Sequence, residues 1–312
     1  MSADTETAEA LPPTVHFVQR DWLSSNQVFS VDDGEATVVD SGYVKHAAMT
    51  VAIIGRLLEQ TGTRLSRIVN THLHSDHCGG NQRLVEAFDA RVLVPQASFQ
   101  DVAKWDSESL THAATAQRCE PFLADGALAP GDELEMGGLS WQVLAAPGHD
   151  PKSLVFHCEQ ERLLISADAL WQHGFGVIFP EVEGESGFDE QQAILELIAT
   201  LRVRYVLPGH GPAFGDVPQA LERAFSRLAA FREDPSRLPR NALKVLIKYL
   251  MLDRERDHSQ DIVTRLARAS IPRHAAARLG LSPEDALRRS IDELVAQGQL
   301  ERDGTWLLNA NG

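Results

Sequence analysis

The segment Thr71-His72-Leu73-His74-Ser75-Asp76-His77-Cys78-Gly79-Gly80-Asn81 constrains this chain more than any other, because it sets four metal-binding side chains within six positions. Neutral imidazole and carboxylate are the donors that Zn²⁺ and neighbouring divalent metals take. Imidazoles at i and i+2 converge from an irregular turn leaving a strand, and the Asp76-His77 pair then aims at a point beside the first. Gly79 and Gly80 permit the tight backbone before the next helix. A lone His-x-His arises readily by chance. Here, however, His149 in Pro147-Gly148-His149, Asp168 in Ser166-Ala167-Asp168-Ala169 and His210 in Pro208-Gly209-His210-Gly211 stand at the ends of later expected strands. A layered α/β domain with its site on the loops accommodates them all.

The apolar pattern agrees. Short β-rich runs cover Val15–Gln19, Gln27–Val31 and Ala36–Asp40, the last after the turn signal Asp32-Asp33-Gly34. A helix is expected over Lys45–Gln60, with Val51, Ile54, Leu57 and Leu58 at helical spacing and Gly62 as its stop. Ile68-Val69 is a strand running into the histidine segment; Asn81–Phe88 reads as helix and Arg91–Val94 as strand. Ser98–His112 is a polar mixture of helix and loop. Strands follow at Leu139–Ala146, Leu154–His157, Arg162–Ala167 and Arg204–Leu207, with an amphipathic helix over Phe188–Leu201.

His-x-His-x-Asp-His followed by His, Asp and His resembles the metallo-β-lactamase-fold hydrolase superfamily over roughly Thr14 to Glu233. Asp40-Ser41-Gly42 resembles the Asp-x-Gly turn that buttresses that family's metal loop. The resemblance implies a four-layer αββα sandwich with its site at one edge of the two sheets. It implies that His72, His74 and His149 hold a first divalent metal, that Asp76, His77 and His210 hold a second, and that Asp168 bridges them. Zinc is the default from the ligand types, with iron or manganese as alternatives. A metal pair of this kind generates hydroxide from water near neutral pH, so attack on an ester, thioester or lactone carbonyl is expected, with Asp76 as the catalytic group that orients the nucleophile or relays a proton. An aspartate at 168, where one antibiotic-destroying subgroup uses cysteine, argues against β-lactamase activity and resembles hydroxyacylglutathione hydrolases, lactonases, ribonuclease Z-like nucleases and related thioesterases. The chain lacks the basic C-terminal pattern by which hydroxyacylglutathione hydrolases hold glutathione, and Pro147-Gly148-His149-Asp150-Pro151-Lys152-Ser153 departs from the commoner Pro-Gly-His-Thr-x-Gly-Ser. Lys152 is a candidate contact for an anionic substrate, and Trp171, His173 and Phe175 for its apolar part.

Around Asp234-Pro235-Ser236-Arg237-Leu238-Pro239 the composition shifts, dividing a catalytic domain over 14–235 from a small C-terminal unit over 240–312. Helices are expected near Ala242–Leu252, Ile262–Ala269 and Glu284–Ala296, the last capped by Ser282, then a hairpin over Leu300–Leu308. This suggests a winged-helix-like module, and with it an alternative function as a phosphodiesterase or nuclease. Charge opposes that alternative: the formal net charge is −15, and residues 240–312 hold 12 Lys/Arg against 10 Asp/Glu, leaving −17 on the rest. A small-molecule substrate fits better, with the module shaping the pocket or a homodimer interface. A second alternative, a non-catalytic sensor or scaffold, is disfavoured by the full set of ligands. Residues 1–13 read as an acidic disordered tail, no run suits a membrane span, and three scattered cysteines suit a reducing, cytoplasmic setting.

Overall fold

The computed structural model describes residues 11–310; the tail expected over residues 1–13 falls outside the described residues through position 10. One sheet holds β1 (Val15–Val18), β2 (Gln27–Asp32), β3 (Glu35–Val39), β4 (Arg64–Val69), β5 (Arg91–Pro95) and β6 (Gly126–Leu128), side by side in that order. β1 to β3 form an antiparallel meander, and β3 to β6 run parallel. Parallel strands need crossovers, and these carry α1 (Ala47–Thr61), α2 (Ser75–Cys78), α3 (Asn81–Phe88) and α4 (Phe99–Lys104). α1 stops where the sequence indicates, with Gly62 left-handed at φ 68° and its N–H bonded to the Leu58 carbonyl.

The second sheet orders β7 (Glu133–Met136), β8 (Leu139–Ala145), β9 (Leu154–Cys158), β10 (Leu163–Ala167) and β11 (Tyr205–Pro208); only the β10–β11 pair is parallel. Its outer face carries α5 (Phe179–Glu183), α6 (Phe188–Thr200) and α7 (Val217–Glu233). Strand alternation assigns the layers. In β10, Leu163 and Ile165 pack between the sheets while Leu164 faces the helices; in β4, Val69 packs between the sheets and Ile68 faces α1. Trp141, Phe156 and Leu207 fill the inter-sheet layer, each fully buried side chain worth about 1.5–3 kcal/mol. The result is the expected four-layer αββα sandwich.

The C-terminal segment continues the outer helix layer. α8 (Arg237–Arg254) begins earlier than its expected start at Ala242, with Pro239 in its first turn, where a missing N–H breaks no intrahelical bond. There follow β12 (Arg256–His258), α9 (Ser259–Leu266), α10 (Ser270–Arg278), α11 (Pro283–Ala296), β13 (Leu300–Asp303) and β14 (Trp306–Asn309), whose strands pair in the order β12-β14-β13. Ser282 caps α11 as expected, accepting from the Asp285 N–H at 3.1 Å. One continuous apolar cluster runs from Val155 and Leu164 of the second sheet through α6 and α7 to Leu243, Leu246 and Ile247 of α8, and on to Leu287, Ile291 and Leu307. Among the described residues no helix is long and apolar enough to cross a membrane.

Candidate metal centre

Parallel pairing brings the ligand-bearing chain ends to one edge. Val39 pairs with Val69, so β3 and β4 end together and deliver Asp40 beside Thr71-His72; Ala167 pairs with Pro208, so Asp168 and His210 emerge side by side. β8 runs parallel to β10, through β9 between them, and leads to His149 at the same edge. His72, His74, Asp76, His77, His149, Asp168 and His210 are all buried and form three overlapping groups compact enough to hold a cation: His72–His74–His149, His72–His77–Asp168 and Asp76–His77–His210.

Hydrogen bonds behind the imidazoles fix which nitrogen faces inward. Thr71 Oγ1 donates to Asp40 Oδ2 at 2.8 Å and therefore accepts from His72 Nδ1 at 3.1 Å, leaving the His72 Nε2 lone pair inward. His149 Nδ1 donates to the Val177 carbonyl at 2.5 Å, freeing its Nε2. His74 turns Nε2 toward Asp150 Oδ2 at 3.4 Å and so presents Nδ1. These three lone pairs lie 3.1 Å (His72 to His74) and 2.7 Å (His74 to His149) apart. Lone pairs crowded this closely repel unless a cation stands between them, and such outer partners are the usual means of orienting metal-binding imidazoles. On the other side, His77 Nδ1 donates to Asp40 Oδ2 at 2.7 Å, and its buried Nε2 has no hydrogen-bond partner. His210 Nε2 is 3.1 Å from Asp76 Oδ2. Asp168 stands between the two sides, with Oδ2 3.4 Å from His149 Nε2 and Oδ1 3.3 Å from His77 Nε2.

Electrostatics point the same way. Burial pushes His72 well below the ordinary imidazole range and brings His74 and His149 to about 4, so all three are neutral donors. Burial also disfavours charge on His77, Asp76 and Asp168. For His77 it is outweighed by the Asp168 and Asp40 carboxylates, which drive its pKa up. For Asp76 and Asp168 it is outweighed by neighbouring histidines, so both stay anionic. Asp40, Asp76, Asp150 and Asp168 are all buried, and histidines are their only ion-pair partners among the described residues. Buried carboxylates without a compensating cation are costly. The residues present fit a metal pair.

Two glycines make the approach possible. A Cβ on Gly209 would overlap Asp168 Oδ1 and come within 2.9 Å of His77 Cε1, and one on Gly176 would lie 2.5 Å from His149 Nδ1. The Asp40 turn performs its expected buttressing: Asp40, at φ 60°, accepts from the Thr71 N–H at 2.9 Å besides its bonds to Thr71 Oγ1 and His77. Cys78 points away from the centre. Its Sγ lies 3.7 Å from Cys119 Sγ and 4.0 Å from His112 Nε2, making a further group with metal-binding proximity. The His112 nitrogen is engaged at 2.9 Å by the Leu73 carbonyl, to which Cys78 also donates, so this trio braces the back of the histidine loop.

The centre opens into a cleft lined by His74, Asp76, His149 and Asp168 on the floor, with Trp22, Trp171, Phe175, Val177, Phe179, Arg227, Asn241, Val245 and Tyr249 above. Of the residues suggested for substrate contact, Trp171 and Phe175 line it, and Trp171 Nε1 donates to Asp168 Oδ1 at 3.2 Å. Lys152 and His173 do not. Lys152 Nζ is bound to Asp101 Oδ2 at 2.6 Å and the Ser109 carbonyl at 3.1 Å, and His173 is exposed outside the cleft. Sequence reasoning missed Trp22, whose ring stacks on His210 at 4.2 Å, and the residues that α7 and α8 supply. Tyr249 of α8 donates its hydroxyl to the Leu23 carbonyl at 3.1 Å, tying the C-terminal segment to the loop bearing Trp22.

A family model described as the metallo-beta-lactamase superfamily matches residues 20–210. A hydroxyacylglutathione hydrolase of Cereibacter sphaeroides is 34% identical over 160 residues, 50% of this chain and 52% of its own length. A thioesterase of Emericella nidulans is 26% identical over 209 residues, 67% of this chain and 52% of its own. The chain thus spans about half the length of these curated relatives. A metallo-beta-lactamase family protein from Thermus thermophilus superposes with a TM-score of 0.56 at 19% identity, covering 96% of this chain and 99% of that one, a likeness of fold that includes the C-terminal segment. The chain belongs to the metallo-beta-lactamase superfamily.

Proposed function

We propose that the protein is a dinuclear metal-dependent hydrolase that cleaves an ester, thioester or lactone carbonyl of a small anionic substrate. The observation that carries this reading is the convergence of three oriented imidazole lone pairs on one side of Asp168, and of Asp76, His77 and His210 on the other, at the floor of a cleft. Hydrolases named for thioester cleavage among the relatives support the substrate class. Divalent metals held there, zinc by donor preference, would supply a Lewis acid for the carbonyl oxygen and lower the pKa of water to about 7. Asp168 would hold both sites in register. Asp76, with Oδ2 facing His210 and its carboxylate lining the cleft, would orient the attacking water by accepting its hydrogen.

The C-terminal segment serves this reading as a wall. Its order of helix, strand, three helices and hairpin accommodates the winged-helix-like module expected from sequence, and α8 directs Asn241, Val245 and Tyr249 into the cleft. The net charge of −15 also opposes a polyanionic substrate. The test is elemental analysis joined to a hydrolysis panel of thioesters, lactones, phosphodiesters, a cephalosporin and single-stranded RNA, with Asp168→Ala as the blank. Two metals per chain and Asp168-dependent turnover of a thioester or ester are expected. Preferential cleavage of RNA, or failure to take up metal under any condition, overturns the reading.

A further inference from the structure

Arg227 is a cation without a counter-ion among the described residues. It projects from α7 into the cleft and forms no hydrogen bond or ion pair with any of them. Its guanidinium carbon lies 5.3 Å from the Phe175 ring centroid and 5.4 Å from that of Phe231, and a Cβ on Gly174 would meet its Nη1 at 2.9 Å. Aromatic faces compensate part of the lost hydration, but its fork of N–H donors has no acceptor. Burial lowers its pKa from the ordinary arginine value, though a guanidinium stays charged at neutral pH. Asn241, on α8, also lines the cleft, and its buried Nδ2 has no hydrogen-bond partner. Two donor groups left unpaired in one cleft describe a site for an acceptor that the chain does not provide.

The walls of the same cleft constrain what carries that acceptor. Phe175, Val177, Phe179 and Val245 are apolar and offer an acyl chain no polar partner. Arg227 pairs best with a planar, two-oxygen anion. We propose that Arg227 and Asn241 form a carboxylate subsite in the roof of the cleft, so that the substrate is an acyl ester or thioester whose acyl chain ends in a second, distal carboxylate. This rests on the hydrolase reading above for the reaction, but not for the binding. It moves the anion contact from Lys152, which Asp101 already neutralises, to a residue of α7.

The test uses the metal-loaded protein in two arms. In the first, glutaryl and valeryl thioesters of one small thiol, matched in chain length and differing in the distal carboxylate, are compared in wild type, Arg227→Met and Arg227→Lys. The wild-type kcat/KM ratio should favour glutaryl by at least about tenfold, fall toward unity in Arg227→Met mainly through KM, and recover in part in Arg227→Lys. In the second, calorimetry compares free glutarate with valerate. Glutarate should bind more tightly to wild type, weaken by at least about tenfold in Arg227→Met and weaken less in Asn241→Leu, while metal content stays at the wild-type value. Arg227→Gln replaces Arg227→Met if the latter does not fold. Thioester turnover with no Arg227-dependent preference, and glutarate binding indifferent to Arg227, overturns the subsite and leaves the hydrolase standing. Arg227-dependent glutarate binding without turnover of either thioester upholds the subsite and overturns the assignment of thioesters as the substrate.

Discussion

The floor and the roof of the cleft share a space but differ in how their polar groups are held. On the floor, His72, His74, His77 and His149 each have a partner on the outward nitrogen, respectively Thr71, Asp150, Asp40 and the Val177 carbonyl, so their orientation precedes any occupant. On the roof, Arg227 and the Nδ2 of Asn241 have no such partner among the described residues and come from helices that belong to the outer layer. A floor braced from behind holds its inward-facing atoms in one arrangement, whereas an unbraced roof leaves its donors for the ligand. Preorganisation of this kind is where metal affinity and rate are gained, whereas discrimination among substrates lies in groups that only the right one satisfies.

If the comparison is sound, floor substitutions should remove metal and turnover together, and roof substitutions should spare metal. Asp168→Ala should show the largest effect, a loss of turnover of at least about a thousandfold, accompanied by loss of bound metal in elemental analysis. Full turnover with both metals retained would falsify the bridging assignment. Asp40→Ala deprives Thr71 and His77 of their shared acceptor at once, and should weaken metal binding by about 10–100-fold in a chelator competition. Asp150→Asn changes one long contact to His74 and should cost at the lower end of that range, about tenfold, by the same competition. On the roof, Val245→Ala should raise KM by about fivefold, the loss expected for trimming one apolar wall, with metal content and kcat close to wild type. A roof variant that sheds metal would show that the two halves are one structural unit and end the distinction.

The floor was legible because its chemistry is written locally. Four candidate ligands fall in one six-residue stretch, and the other candidates follow Pro-Gly or end a strand, so composition and spacing single them out without tertiary information. The four-layer sandwich was implied by the family resemblance that these residues carry, whereas the strand and helix pattern alone indicated only a layered α/β domain. The roof was not legible, because Trp22, Arg227 and Asn241 come to line one cleft only when three separate elements meet. Lys152 stands in sequence as a cation two residues from Asp150, but its partner Asp101 lies 51 positions away. The helix α7 does have a signal, with Val217, Ala220, Leu221, Ala224, Leu228 and Phe231 buried on one face. α10 has little: Pro272 in its first turn and Ala275-Ala276-Ala277 leave no long apolar stripe. The substitution of Asp150 for the commoner threonine was visible in the sequence, while its role behind His74 needed the fold.

The indole of Trp22 lies nearly parallel to the His210 imidazole, 4.2 Å away with 7° between the planes, and is 48% exposed. Two π-systems in such contact share an optical environment. A cation drawing electron density from His210 Nε2 therefore acts on the neighbouring chromophore directly, whereas among the described residues His72, His74 and His149 make no ring contact with it. Loading of the two sides need not be inferred from stoichiometry alone: the emission of this tryptophan, recorded against Trp22→Phe during stepwise addition of metal, would give the order in which they fill.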